Sequence, residues 1–380
     1  MSLPDVVIIG GGVIGCAAGY ELACAGMKVT VVERDGIASH ASGYSYGGLY
    51  PTWGAGIPGP VLEPAKQALD LHIELYPRLK AETGIDFELR QVESIALAAD
   101  EAGLPALQKD CDWQISQGFD AETLSSRDVY GMEPSLAQGL AGGLLQRTHY
   151  ELDSYKFTSA LARGIENHGG NIVRADVMAL AGSKDCVTGV KTRTGSVMSG
   201  GAVVMATGPW AGSTPEAAPA RESSALPLPS LPVKAVKGEI LRMRLPGMDF
   251  HHRCGMYGRN VGRKPDGLVW IGTTEVVDNF DEQTTSEGRD FIFSGALKYA
   301  PKLADAELVQ QTACLRPVAV DGLPIVGPLG SVEGLFAAVA AGKKGVLLSL
   351  VMAKWTSALV LGKRDVWPLP PELSTARFGL

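Results

Sequence analysis

The chain has 380 residues, which suits two or three folding units. Its 46% hydrophobic and 20% charged content is that of a globular protein and excludes long disorder, a coiled coil or a collagen-like fibre. With 34 basic against 41 acidic residues the net charge is −7, and no Lys/Arg run is long enough to follow a phosphate backbone or an anionic membrane, so nucleic acid is not an expected partner.

Val6-Val7-Ile8-Ile9 is β-branched and wholly apolar, as a parallel strand covered on both faces requires. No basic stretch precedes it, so it reads as a buried strand rather than a signal peptide. Gly10, Gly12 and Gly15 follow in the spacing G-x-G-x-x-G, and the small and apolar residues 16–25 read as a helix packed tightly on that strand, stopped by Gly26. Val29-Thr30-Val31-Val32 is a second strand ending at Glu33, where an acid accepts hydrogen bonds from a ribose. Strand, turn, helix and terminal acid are in register for a dinucleotide, with the pyrophosphate against a turn that lacks Cβ atoms and at the helix N-terminus. NAD and FAD share this geometry, and the segment alone does not choose between them.

The Ser/Gly-rich residues 34–49 form a loop, and Ile85-Asp86-Phe87-Glu88-Leu89-Arg90 begins a strand. Arg174-Ala175-Asp176-Val177 is strand-like. Residues 203–210, Val-Val-Met-Ala-Thr-Gly-Pro-Trp, read as another parallel strand with a glycine stop at its carboxyl end, where ligands of open α/β sheets collect. Residues 226–232 lack helix or strand periodicity and read as a crossover, while residues 233–242 and 268–272 read as sheet strands, the latter closed by Thr273-Thr274-Glu275. Residues 335–341 are a strand leading through Gly342-Lys343-Lys344-Gly345-Val346 into an apolar stretch, 345–362. Lys354 interrupts that stretch and it is shorter than the roughly 20 residues of a membrane span, so it reads as a core helix.

Four blocks in this order carry a resemblance: the N-terminal βαβ unit, the loop from Ala41-Ser42-Gly43 to Gly47-Gly48-Leu49, Ala206-Thr207-Gly208-Pro209-Trp210, and the R-P-x-x-x-D-G-x-P-x-x-G run from Arg316 to Gly327. The chain resembles the D-amino-acid oxidase superfamily of FAD enzymes, most closely its glycine oxidase, sarcosine oxidase and D-amino-acid dehydrogenase branch. The resemblance implies an α/β fold in which a Rossmann-like FAD domain (1–86, 150–222 and 313–380) interleaves with a mixed or antiparallel-sheet substrate domain (87–149 and 223–312), helices lying on one side of that sheet.

It also implies site residues. The turn Gly10–Gly15 with Val13, Ile14, Glu33 and Arg34 would hold the ADP half, and Val177 would wrap the adenine. Ser42, Gly43, Gly47, Gly48 and Leu49 would lie beside the pyrophosphate and isoalloxazine, with Thr207, Gly208 and Trp210 at the adjoining strand end. A helix N-terminus at 342–346 aimed at the flavin N1–C2=O edge would favour the anionic reduced ring, helped by Lys343 and Lys344. Arg316 matches the arginine that forks onto a substrate carboxylate. Lys343 or Lys344 is the second cation, Tyr257 and Arg259 lie on the strand that offers polar contacts to the carboxylate, and Tyr46, Tyr50 and Trp53 form a pocket wall. Cys314 aligns with a cysteine that carries flavin through a thioether in monomeric sarcosine oxidases, although a non-covalent FAD is the expectation.

The expected reaction is oxidation of the C–N bond of glycine, an N-substituted glycine or a D-amino acid, by hydride transfer to flavin N5 and hydrolysis of the imine to a 2-oxo acid and an amine, with dioxygen, a quinone or a partner protein as final acceptor. A 2-hydroxy acid could use the same arginine, and the chain could act as a homo-oligomer or as the FAD subunit of a hetero-oligomeric amine dehydrogenase. A nicotinamide enzyme leaves the residue 42–49 loop and the 316–327 run unexplained. The six cysteines form no C-x-x-C pair and the six histidines no metal-ligand spacing, which argues for a reducing, cytoplasmic setting and chemistry carried by a cofactor.

Overall fold

The apolar run after the N-terminus is β1 (Val6–Ile9), buried on both faces at the centre of a six-stranded sheet. The computed structural model describes residues 5–213, 225–247, 250–256 and 258–380. The sheet order is β19-β20-β11-β1-β2-β7, with β2 (Val29–Glu33), β7 (Asn171–Arg174), β11 (Ala202–Met205) and β20 (Leu335–Val339) parallel, and β19 (Ile325–Pro328) antiparallel at the edge.

Alternation along these strands makes three layers. Val6, Ile8, Val31 and Val204 face α1 (Val13–Cys24), α3 (Leu62–Thr83), α6 (Ser154–Asn167) and α8 (Gly345–Val360). Val7, Ile9, Val203 and Met205 face a four-stranded antiparallel sheet of β8 (Val177–Gly182), β9 (Val187–Thr192), β10 (Val197–Ser199) and β12 (Ala225–Pro227). The small residues of α1 let it sit between neighbours: a Cβ on Gly19 would come 2.7 Å from Ile165 Cδ1. Lys354, the one charge in apolar α8, is accounted for by Glu21 of α1 at 2.7 Å. Among the described residues no helix is long and apolar enough to cross a membrane.

The remaining ten strands form a mixed sheet. They are β3 (Gly48–Leu49), β4 (Arg90–Ala98), β5 (Ala121–Ser125), β6 (Gly142–Glu151), β13 (Val233–Arg244), β14 (Arg253–Met256), β15 (Arg259–Arg263), β16 (Val269–Gly272), β17 (Val276–Val277) and β18 (Glu307–Ala319). Among the described pairings of this sheet, only β4 and β14 run parallel. One face of it packs on α5 (Ser126–Met132) and α7 (Ser286–Leu297) through Leu145, Leu241, Val261, Ile271 and Ile292, with α4 (Leu104–Ser116) beside β5 and β6. A short α2 (Ala41–Tyr44) lies in the Ser/Gly-rich loop.

Five sequence expectations need correction. Residues 85–89 are a turn rather than the start of a strand, because Tyr76 and Lys80 hold Asp86 and Glu88 has φ +57, so β4 begins only at Arg90. Residues 174–177 are not one strand: β7 ends at Arg174, and the chain crosses to the small sheet before Val177. The 226–232 crossover starts inside β12, which pairs with β8. The strand expected over 335–341 stops at Val339, where Ala340 takes φ +65. The interdomain position 313 falls within β18, which pairs with β13 from Glu307 to Ala319.

Candidate active site

A cavity of about 670 Å³ runs from the glycine turn after β1 to the open face of the ten-stranded sheet. At its first end Gly10 takes φ +113, and a Cβ there would stand 2.4 Å from Ala206 O, so the turn admits no side chain. A Cβ on Gly15 would meet Gly10 O at 2.0 Å. Gly15 therefore presses α1 against the turn instead of lining the cavity, whereas Gly10, Gly12, Val13 and Ile14 do line it. The first turn of α1 carries no acid and Gly12 supplies no capping side chain; Ser42 Oγ accepts from Val13 N at 2.9 Å. Such a terminus attracts an anion.

Glu33 lines the cavity and is fixed by Gly11 N at 2.7 Å and Asp35 N at 2.8 Å. Arg34 lies 4.9 Å from the centre of the Trp210 ring, and Val177, Thr207 and Gly208 complete this end. Of residues 41–49, Ala41, Ser42, Tyr44, Ser45, Tyr46 and Gly48 line the cavity. Gly43, Gly47 and Leu49 do not. A Cβ on Gly43 would meet Ala38 O at 2.1 Å and one on Gly47 would meet Leu152 O at 1.9 Å, while Leu49 is wholly buried; these residues shape the loop from behind.

A second uncapped helix N-terminus, that of α8, meets the cavity midway through Gly342, Lys343, Lys344, Gly345 and Val346. The two lysines differ. Lys344 is buried, donates to Tyr50 O at 2.6 Å and sits 3.8 Å from the Trp53 ring centre; burial, and then Arg253 and Lys343, push its ammonium well below the ordinary lysine value. Lys343 is exposed and pairs with Glu275.

The far end is the face of the ten-stranded sheet opposite α7. The register places Val236, Gly238 and Ile240 of β13 beside Arg316, Cys314 and Thr312 of β18, and Ile240 beside Gly272 of β16, Asn260 of β15 and Gly255 of β14. Glycine paves this face so that side chains can lie flat on it. A Cβ on Gly238 would stand 2.0 Å from Arg316 Nη2, and one on Gly262 would stand 2.5 Å from Tyr46 Oη. Arg316 crosses Gly238 to donate to Thr273 Oγ1 at 2.7 Å and Thr274 O at 3.2 Å, both neutral acceptors, and lines the cavity. Cys314 beside it is buried; burial raises its thiol above the ordinary value, with Arg316 opposing.

Arg259 is not at the site. It is one residue out of phase with Asn260, so it emerges with Val261 on the core face and stacks 3.8 Å from the Phe291 ring centre of α7. Tyr257 lies outside the described residues. Among the lining residues that carry no motif are Arg253, Asn260 and His40. Behind the wall formed by Tyr46 and Tyr50, the buried Glu151 accepts from Tyr50 Oη at 2.5 Å, Lys264 Nζ at 2.8 Å and Arg90 at 3.2 Å. Burial works to raise its carboxyl, but Lys264, the Tyr50 hydrogen bond and the charge of Arg253 together outweigh it and hold the group below the ordinary value.

The cavity thus has a helix terminus free of acids with a side-chain-free turn, an acid and an aromatic wall at one end, a second helix terminus midway, and beyond it a guanidinium whose partners among the described residues are neutral. That donor set fits an elongated anionic dinucleotide with a carboxylate past its far end. Residues 5–359 match the family described as FAD dependent oxidoreductase. A glycine oxidase of Geobacillus kaustophilus is 29% identical over 381 residues, covering 99% of this chain and 97% of the relative, and its crystal structure superposes with a TM-score of 0.87, 28% identity and 98% of each chain. A glycine oxidase of Pseudomonas aeruginosa is 27% identical over 98% of this chain and 99% of its own, and hydrogen cyanide synthase subunit HcnC of Pseudomonas protegens is 27% identical over 94% and 92%.

Proposed function

This chain belongs to the FAD-dependent oxidoreductase family, and from that premise we propose that it oxidises the C–N bond of a small amino acid. The observation that carries the reading is Arg316, held flat over Gly238 by two neutral acceptors with no carboxylate bonded to it among the described residues. A substrate carboxylate supplies the missing counter-charge by a two-pronged hydrogen bond.

The turn and α1 N-terminus would hold the FAD pyrophosphate; Glu33, Arg34 and Val177 the adenosine half; Ser42, Gly48, Thr207, Gly208 and Trp210 the middle; and Gly342–Val346, with Lys344 more than Lys343, the ring. Bound there, FAD supplies the acceptor for the two electrons of a substrate C–H bond. Arg316 fixes the α-carbon, and the flat aromatic wall limits water. The lining acids, Glu33 and Asp176, belong to the dinucleotide end, so the substrate enters with its nitrogen as the free amine, whose lone pair stabilises the forming C=N. Loss of two electrons and two protons gives an imine, and water converts it to a 2-oxo compound and ammonia or an amine.

We extend the proposal to a cytoplasmic enzyme with non-covalent FAD, reoxidised by dioxygen, a quinone or a partner protein, and to two interleaved domains divided near the positions expected, with β18 wholly in the substrate sheet. Purified protein should be yellow and bleach anaerobically with its amino acid; acid precipitation releases the colour unless Cys314 holds it. Ammonia or amine release separates this reading from 2-hydroxy-acid oxidation. Arg316→Met should raise KM about a hundredfold or more with the flavin spectrum retained, and an unchanged KM rejects the carboxylate role. The likeness to HcnC favours a second reading, a subunit silent alone; turnover by the isolated chain after size exclusion decides against it.

A further inference from the structure

The substrate end holds more positive charge than one carboxylate needs. Arg253, on β14, emerges on the same sheet face as Asn260 and lines the same cavity as Arg316. Its guanidinium lies 4.5 Å from the Tyr50 ring centre and 5.6 Å from that of Tyr46. No acceptor among the described residues bonds it, and its buried Nε is unpartnered. Tyr46 Oη, also buried and unpartnered, stands against the same glycine, Gly262, whose absent Cβ would lie 2.5 Å from Tyr46 Oη and 3.4 Å from Arg253 Cβ.

Glu151 does not serve Arg253 by a hydrogen bond, since it is already engaged by Tyr50, Lys264 and Arg90. Unpartnered buried donors are costly, and a guanidinium held by ring faces alone lacks the hydrogen bonds it would make in water. Arg316 is anchored at Thr273 and Thr274, just past the end of β16, and β16 is two strands from β14. Arg253 stands level with Gly262 and Trp270, three residues along the sheet from Thr273, so the backbones are roughly 14 Å apart, and both side chains line the cavity between them. A small molecule with anionic groups a few bonds apart would engage both.

We propose that Arg253, with Tyr46, binds a second anionic group, so that this chain prefers a dicarboxylic amino acid to its monocarboxylic counterpart. This rests on the reading above for the bond oxidised, but the anion site itself does not depend on turnover. The second carboxylate can sit on the nitrogen substituent or on the side chain. Two pairs of probes separate these sources: iminodiacetate against sarcosine, and D-aspartate against D-asparagine.

With the FAD-loaded full chain, one pair should show at least a tenfold higher kcat/KM for the diacid. Arg253→Met should bring that ratio close to one with the flavin spectrum retained, and Arg253→Lys should restore part of it. A wild-type ratio near one in both pairs, or a ratio that survives Arg253→Met, overturns the proposal. If no amino acid is turned over, the functional reading fails and calorimetry still decides: malonate binding at least tenfold tighter than acetate, with the advantage lost in Arg253→Met, supports the second anion site, and equal binding rejects it.

Discussion

The two ends of the cavity are built by different means. The dinucleotide end is made of backbone, with glycines at positions where a Cβ would collide with a carbonyl and a helix terminus whose donors come from the peptide chain itself. The substrate end is made of side chains laid across a glycine-paved sheet, each aimed by the pairing of strands far apart in sequence. Backbone recognition is stiff and general, and it suits a group common to a family. Side-chain recognition varies with single substitutions, and it suits what distinguishes one member from another.

If this contrast holds, damage at the first end should abolish cofactor binding and stability together. Gly10→Ala drives a Cβ to 2.4 Å from Ala206 O in a left-handed conformation, which should cost about 3 kcal/mol or more. Colourless protein with a lowered Tm is expected, and a yellow, equally stable variant would break the comparison. At the second end the fold should survive while binding suffers. Gly238→Ala displaces only the end of Arg316, so KM should rise about 10- to 100-fold with Tm nearly unchanged; an unaltered KM would show that Arg316 needs no bare strand beneath it.

Smaller effects sharpen the boundary between the ends. Ser42→Ala removes the acceptor for Val13 N and should lower stability by about 1 kcal/mol, read by denaturant titration. His40 bonds Asp35 in the dinucleotide half and Glu282 beyond β17. Burial pulls its imidazole down, but the two carboxylates outweigh burial and the net direction is up. The folded state therefore holds the proton more tightly than the unfolded state. This stabilisation is complete below the unfolded value of about 6.5 and fades as pH rises through the higher folded one. Wild type should lose up to about 1 kcal/mol more than His40→Gln between about pH 6 and pH 8, and parallel pH profiles would show that the pair contributes nothing.

The same contrast explains what could be read without coordinates. The unit from Val6 to Glu33 was legible because strand, turn and helix are encoded in adjacent residues, the placement of Arg316 and Thr207 on the cavity followed from motifs, and that of Val177 from the family resemblance. Arg259 and Asn260 differ by one position, and only the pairing of β15 with β14 and β16 decides which of them faces the cavity. Lys343 and Lys344 were likewise inseparable until the turn before α8 buried one and left the other to Glu275. Arg253 has no motif around it, and its environment of two tyrosines and a glycine comes from two segments, the distant stretch 46–50 and the paired strand β15.

Because Arg316 and Cys314 ride on β18, paired with β13 along its length with one register shift at Arg242/Met243, while Val318 near its end bridges Ala341 just ahead of α8, the guanidinium proposed to hold a carboxylate and the helix proposed to face the ring share one stiff spar. A clamshell motion would have to snap that spar. Admission of substrate therefore falls to loop movement, and small-angle scattering should record the same radius of gyration with and without an amino acid.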